Sequence, residues 1–472
     1  MNEIVRTKYG LVRGQVSNAR GYMAQDNLMG NGMHNNTGYG GNAIVYVWKG
    51  IPYGKAERFA YPEPPDSYEG ILDALEFGPC SYQPRAFADE AKDPDKAFYH
   101  HEFREGRTYT YADDCLNLNI WAPKDAKNLP VLFYIHGGGF LTGSSSEIPF
   151  EGDKWCQRNV VVVTINYRLG PFGLACFSEI MKREGHCGNY SLYDQLQALQ
   201  WVRENINAFG GDANRITLMG QSAGAISVQQ LCSSPLTEKM FVGAIMLSFG
   251  GVTRLLDIAK HSAKDQYSFW QKVMERTGAE SVEMLQKMDA KKLMAAFQEV
   301  SKEEKHTAMI LMPIQDGRIL TESNVTGAKA AHERRIPYIT CSTSEDMLAP
   351  ILYRMGKNWG KLQREHGNKK CYRCFFKRQL PGDDRGAWHS SDLWYVFGML
   401  EKSWRPFKAE DEVLSNQMID YYSNFVKTGN PNGKELPIWR STAEEKKRVM
   451  VFDVDAVGMD TVNARKLWKH ML

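Results

Sequence analysis

RITLMGQSAGAISVQQL, residues 215–231, decides how this chain reads. RITLM is an apolar run of strand length, and AISVQQL is an apolar run compatible with a helix. Between them, Gly220-Gln221-Ser222-Ala223-Gly224 spells GxSxG. A sharp strand-to-helix turn flanked by glycines keeps other side chains away from the serine. It also lifts the serine hydroxyl to the C-terminal edge of a sheet. With 41 glycines in 472 residues the bare pattern is weak evidence, and its setting carries the weight. The setting makes Ser222 a candidate nucleophile.

The flanking sequence supplies the sheet that such a turn needs. PVLFYI (130–135), NVVVVTINY (159–167), GAIMLS (243–248) and PYITC (337–341) are short apolar runs without polar alternation, the pattern of strands buried on both faces. SLYDQLQALQWVRENI (191–206) carries apolar residues at 192, 196, 199, 202 and 206, close to a helical stripe, and EDEVLSNQMIDYYSNFVKTG (410–429) is an amphipathic helix stopped by Gly429. Strands alternating with helices predict an α/β protein: a mostly parallel sheet covered by helices on both faces. No repeat, linker or low-complexity tract divides residues 1–472, so a single catalytic domain is expected. Charged, Met- and Lys-rich helices over 252–330 form an insertion placed to cap the site. Two long polar loops are expected at 21–42 and 84–112.

Directly after the strand PVLFYI comes His136-Gly137-Gly138-Gly139-Phe140. Consecutive glycines expose backbone N–H groups with no Cβ in the way, which suits them to stabilise an oxyanion forming on an attacked carbonyl. A serine hydroxyl also needs a base to take its proton and a carboxylate to orient that base. Of 11 histidines, His389 stands out because it opens the amphipathic aromatic run SSDLWYVFG.

Several longer segments carry a resemblance: YGLVRG near the start, VWKGIPYG, DDCLNLNIWAP (113–123), VLFYIHGGGF, INYRLGPFG (165–173), GNYSLYDQLQALQWVRENINAFGGDANRITLMGQSAG (188–224) and AWHSSDLWYVFG (387–398). Along nearly its whole length the chain resembles the cholinesterase-like, type-B carboxylesterases. That resemblance implies the α/β-hydrolase fold and hydrolysis of small-molecule carboxylic esters through an acyl-enzyme on Ser222, with His389 as base. It implies Asp346 as the acid, with Glu345 the alternative, and Gly138, Gly139 and Ala223 as oxyanion donors. Gln221, Ser248 and Asp392 match a supporting polar network, and Cys80 and Cys115 match a family disulfide.

Three departures bear on substrate. Asp346 and His389 stand only 43 residues apart, a shorter stretch than is common in the family. Gln221 replaces the usual glutamate. Ten residues before Cys115, where cholinesterases carry a cation-binding tryptophan, this chain has Glu105, so the aromatic face for a quaternary ammonium is missing. Neutral, small to medium esters are therefore expected. An amidase or thioesterase on the same groups is the alternative, and a non-catalytic binding protein of the same fold is the reading from another class.

Composition narrows the rest. A net charge of +3 gives no electrostatic case for nucleic acid or an anionic membrane. The longest strongly apolar stretch, Val160 to Ile165, is far short of the roughly 18–20 residues of a membrane helix. The N-terminal MNEIVRTKYGLVRGQ has no apolar signal core and reads as two strands turning at Gly10, which points to a cytoplasmic protein or a secreted one numbered from its mature end. Nine scattered cysteines do not make a disulfide scaffold. Cys371 and Cys374 lack partner ligands and begin a strand-like CYRCFFKRQL, and His100-His101 sits in a polar loop, so neither metal nor cofactor is expected.

Overall fold

The computed structural model describes residues 2–17, 44–93, 96–304 and 312–467. The loop expected at 21–42 lies outside them. Fifteen strands occur among the described residues: β1 Asn2–Arg6, β2 Leu11–Val16, β3 Val45–Pro52, β4 Ile71–Asp73, β5 Cys80–Ser81, β6 Tyr111–Ala112, β7 Asn117–Pro123, β8 Leu129–Ile135, β9 Val161–Ile165, β10 Gly211–Gln221, β11 Gly243–Leu247, β12 Tyr338–Thr343, β13 Cys371–Phe376, β14 Val449–Phe452 and β15 Gly458–Asp460. All but β5 and β6 join one sheet in the order β1-β2-β3-β7-β9-β8-β10-β11-β12-β13-β14-β15, with β4 beside β2. From β9 to β14 every neighbouring pair is parallel, while β1, β2, β3 and β7 add an antiparallel wing.

The apolar runs explain this arrangement. β9, β11, β12 and β13 are buried at every position, as parallel strands sandwiched between helices must be. The pleat then divides each strand between two cores. Val131, Phe133 and Ile135 of β8 face one core with Ile226, Val228 and Leu231 of the helix Ala223–Ser233. Leu132 and Tyr134 face the other, against Leu414, Met418 and Phe425 of the helix Ala409–Thr428. Cys371 and Cys374 are core residues of β13, with Cys374 in register with Cys341.

Two local readings needed correction. The helix Tyr190–Asn205 is buried almost all round rather than on one stripe. Its polar side is neutralised internally, because Asp194 takes two hydrogen bonds from the buried Arg168 guanidinium, at 2.8 and 2.6 Å. The stretch 84–112 is not simply a loop: it contains the helix Ala97–Phe103 and the strand β6. Phe98, Tyr99 and Phe103 of this segment pack around Trp388, one residue before His389. Within 252–330 the chain forms helices at Tyr267–Thr277, Val282–Gln286, Ala290–Glu303 and Asn324–Ala330. Cys80 and Cys115, matched to a family disulfide, are both buried free thiols.

Candidate active site

Ser222 sits where β10 ends and the helix Ala223–Ser233 begins, with φ 56° and ψ −122°. A non-glycine residue in that region stores about 1–3 kcal/mol of strain, so its surroundings must hold it there. They do so through the backbone: the Ser222 N–H donates to the Leu247 carbonyl of β11 at 2.9 Å, and its carbonyl accepts from Ile226 N–H at 3.0 Å. Both flanking glycines are obligatory. A Cβ on Gly220 would lie 2.2 Å from the Gly224 carbonyl oxygen, and one on Gly224 would lie 2.0 Å from that of Ile135.

The glycine loop follows β8. His136 is buried and stacked on Tyr167, and its Nδ1 pairs with the Gly137 carbonyl at 2.8 Å. Burial pushes this imidazole down to about 4, so it is neutral and structural. Gly138 turns with φ 107°, and a Cβ there would meet the Thr142 carbonyl oxygen at 2.0 Å. The N–H groups of Gly138, Gly139 and Ala223 donate to no acceptor among the described residues, although all three residues line one cavity.

That cavity, about 320 Å³, is also lined by Ser222, His389, Phe249 and Met312. His389 Nδ1 lies 2.7 Å from Asp346 Oδ1, and both residues are 6% exposed. Asp346 Oδ2 accepts from the Thr343 hydroxyl at 3.0 Å. Burial works against the Asp346 carboxylate, but the charge and hydrogen bond of His389, helped by the Ser248 and Thr343 hydroxyls, bring it below the usual carboxylate range. For His389, burial disfavours the cation, yet Asp346 and then Asp392 outweigh it and raise the imidazole above its ordinary value.

Glu345, the other sequence candidate for the acid, points elsewhere. It accepts from Ala387 N–H at 2.9 Å and from the Ser344 hydroxyl, while its own N–H donates to the Ala387 carbonyl. It clamps the loop that carries His389. Gln221 is brought to the site by a contact the sequence did not suggest: its side-chain amide is 3.2 Å from His389 Nε2. Among the described residues no hydrogen bond joins Ser222 to His389, so the amide occupies the nitrogen that would face the hydroxyl. Ser248 and Asp392 are fully buried nearby, but no hydrogen bond links them to Gln221 or to each other. Among the described residues both Asp392 carboxylate oxygens lack a hydrogen-bond partner, and burial plus the neighbouring Asp346 charge raise it to about 7.

Residues 28–379 and 361–467 match the model of the carboxylesterase family. The chain belongs to the carboxylesterase family. Its relatives include the para-nitrobenzyl esterase of Bacillus subtilis (strain 168), 30% identical over 515 residues that span 96% of this chain and 95% of that protein. The Homo sapiens cocaine esterase is 28% identical, covering 92% of this chain and 88% of its own. Among solved structures, a PNB esterase superposes with a TM-score of 0.78 at 24% identity over 100% of both chains, a likeness of fold. The Geobacillus stearothermophilus carboxylesterase superposes with a TM-score of 0.76 at 27% identity over 99% of both chains. This carboxylesterase is thus a carboxylic ester hydrolase of the α/β-hydrolase fold. No helix among its described residues is long and apolar enough to cross a membrane.

Proposed function

We propose that this carboxylesterase cleaves neutral, small to medium esters through an acyl-enzyme on Ser222, with His389 as general base and Asp346 as the orienting acid. The supporting observation is the 2.7 Å bond from Asp346 to His389, whose imidazole lines a cavity together with Ser222 and three backbone N–H groups that have no acceptor among the described residues. An Nδ1–H held by Asp346 leaves Nε2 with its lone pair, the tautomer that can accept a proton. The Gln221 amide hydrogen-bonds the same lone pair in the resting site and must yield it to the Ser222 hydroxyl. Attack on the ester carbonyl then forms the Ser222–acyl bond through an oxyanion held by the amides of Gly138, Gly139 and Ala223. His389 returns its proton to the leaving alcohol, and water repeats the sequence to release the acid.

A cavity of about 320 Å³ lies at the small end of ligand sites and suits short acyl and alcohol groups. The helices within 252–330 would form a cap over it, Met312 reaching the cavity from the segment between them. Matched p-nitrophenyl butyrate, butyryl thioester and p-nitroanilide substrates test the reading. The ester is expected to have the highest kcat/KM, and faster turnover of the anilide would favour an amidase instead.

The electrostatics add a pH prediction. The base works only when neutral, so kcat/KM should fall as pH drops through an apparent value above the ordinary 6.5 of histidine. Asp392 contributes to that elevation while ionised. Asp392→Asn should therefore move the acid limb to lower pH and leave the plateau within about threefold. A limb that stays in place would show that Asp392 does not act on His389.

A further inference from the structure

The active-site cavity holds one feature that ester hydrolysis does not use. Arg85 and Glu147 line it, joined at 2.7 Å through Arg85 Nη1 and Glu147 Oε1, with Glu147 only 7% exposed. Behind them Arg85 Nε bonds Glu90 at 2.6 Å, and Arg104 reaches the same Glu147 oxygen at 3.4 Å. Two guanidinium groups thus face two carboxylates, and the cluster carries no net charge. Taking four charges out of water is costly, and apolar side chains of similar volume would pin the segment more cheaply. Among the described residues Glu90 Oε2 has no hydrogen-bond partner, but it is sealed from solvent and its residue does not line the cavity. Glu147 Oε2 and Arg85 Nη2 also have none, and their residues do line it; Glu147 Oε2 is not sealed.

We infer that Arg85 and Glu147 form a specificity subsite for a hydroxyl group carried on one arm of the ester, a reading that rests on the proposed hydrolysis at Ser222. A hydroxyl both donates and accepts, so it can give its proton to Glu147 Oε2 and take one from Arg85 Nη2. An ether only accepts and an ammonium only donates, so each leaves one of the two atoms unsatisfied. The neutral cluster also gives a cation no net attraction. A site built around hydrogen bonds to a substrate hydroxyl rejects the analogue that lacks it more strongly than an apolar pocket separates methylenes.

The test uses two matched pairs, propyl against 3-hydroxypropyl butyrate and ethyl hexanoate against ethyl 6-hydroxyhexanoate, with 3-aminopropyl butyrate as the cationic arm. In one pair the hydroxyl ester should be favoured in kcat/KM by at least about tenfold, and Glu147→Gln, which keeps an acceptor but loses its charge, should lower that ratio by at least about threefold. The ratio is the readout because a purely structural role would lower both members together. Absence of preference in both pairs, a stronger preference for the amine, or a ratio unmoved by both Glu147→Gln and Arg85→Met would overturn the subsite. Failure to turn over any of the five esters would instead count against hydrolysis at Ser222.

Discussion

Ser222→Ala is expected to lower kcat on p-nitrophenyl butyrate by about 10⁵–10⁶-fold, because the covalent route disappears and only oxyanion stabilisation and binding remain. The protein should fold as before. The turn is anchored by the backbone bonds of Ser222 to Leu247 and Ile226, and neither involves the hydroxyl. The Ser222 side chain makes no hydrogen bond that its removal would break among the described residues. A folded variant, with an unchanged melting temperature and near-UV spectrum, that kept more than about a hundredth of the activity would mean that another nucleophile does the chemistry.

Asp346→Asn is the second large effect, about 10³–10⁴-fold in kcat. The carboxylate holds the imidazole proton on Nδ1 at 2.7 Å. An asparagine amide presenting N–H to that nitrogen would favour the opposite tautomer, with the proton on Nε2, where the base needs its lone pair. The variant also removes the main charge that raises His389, so the residual acid limb should shift downward. Glu345→Gln is the control. Glutamine can still accept from Ala387, so the clamp on the His389 loop survives and the loss should stay within about tenfold. A reversed order, with Glu345→Gln the more damaging, would transfer the orienting role to Glu345. Steady-state kinetics with thermal melts separates the outcomes.

The tight turn at Ser222 and the glycine loop were legible because backbone geometry allows little else there. Gly220 and Gly224 leave no space for a Cβ, and the same constraint holds at Gly138. The strands were legible because burial on both faces removes polar alternation, as in β9 and β11. Resemblance favoured Asp346 over Glu345, but the different contacts of these adjacent carboxylates were not legible, because Glu345 pairs with Ala387, 42 residues away, and Asp346 with His389, 43 residues away. Gln221 was singled out for its missing charge, yet its contact with His389 spans 168 residues and leaves no local trace.

Buried charge was the least legible feature. Arg85, Glu90, Arg104 and Glu147 lie in stretches whose polarity reads as solvated, and only their mutual pairing makes burial tolerable. The helix Tyr190–Asn205 misled in the same way, because Asp194 is a solvent-type residue until Arg168 arrives from another segment. Ser248 and Asp392 were placed near the site by resemblance. In the structure they flank the Asp346–His389 pair: the Ser248 hydroxyl helps lower the Asp346 carboxylate and the Asp392 charge helps raise His389, with no hydrogen bond from either to Gln221.

The most direct test of a covalent route through Ser222 is rapid-quench mass spectrometry of the enzyme mixed with p-nitrophenyl butyrate, followed by peptide mapping. The account predicts a transient mass gain of one butyryl group per chain, on the peptide containing Ser222, matching in size a burst of p-nitrophenol. Steady p-nitrophenol release with no acylated peptide at any quench time down to the first turnover, or a butyryl group on a different residue, would contradict it.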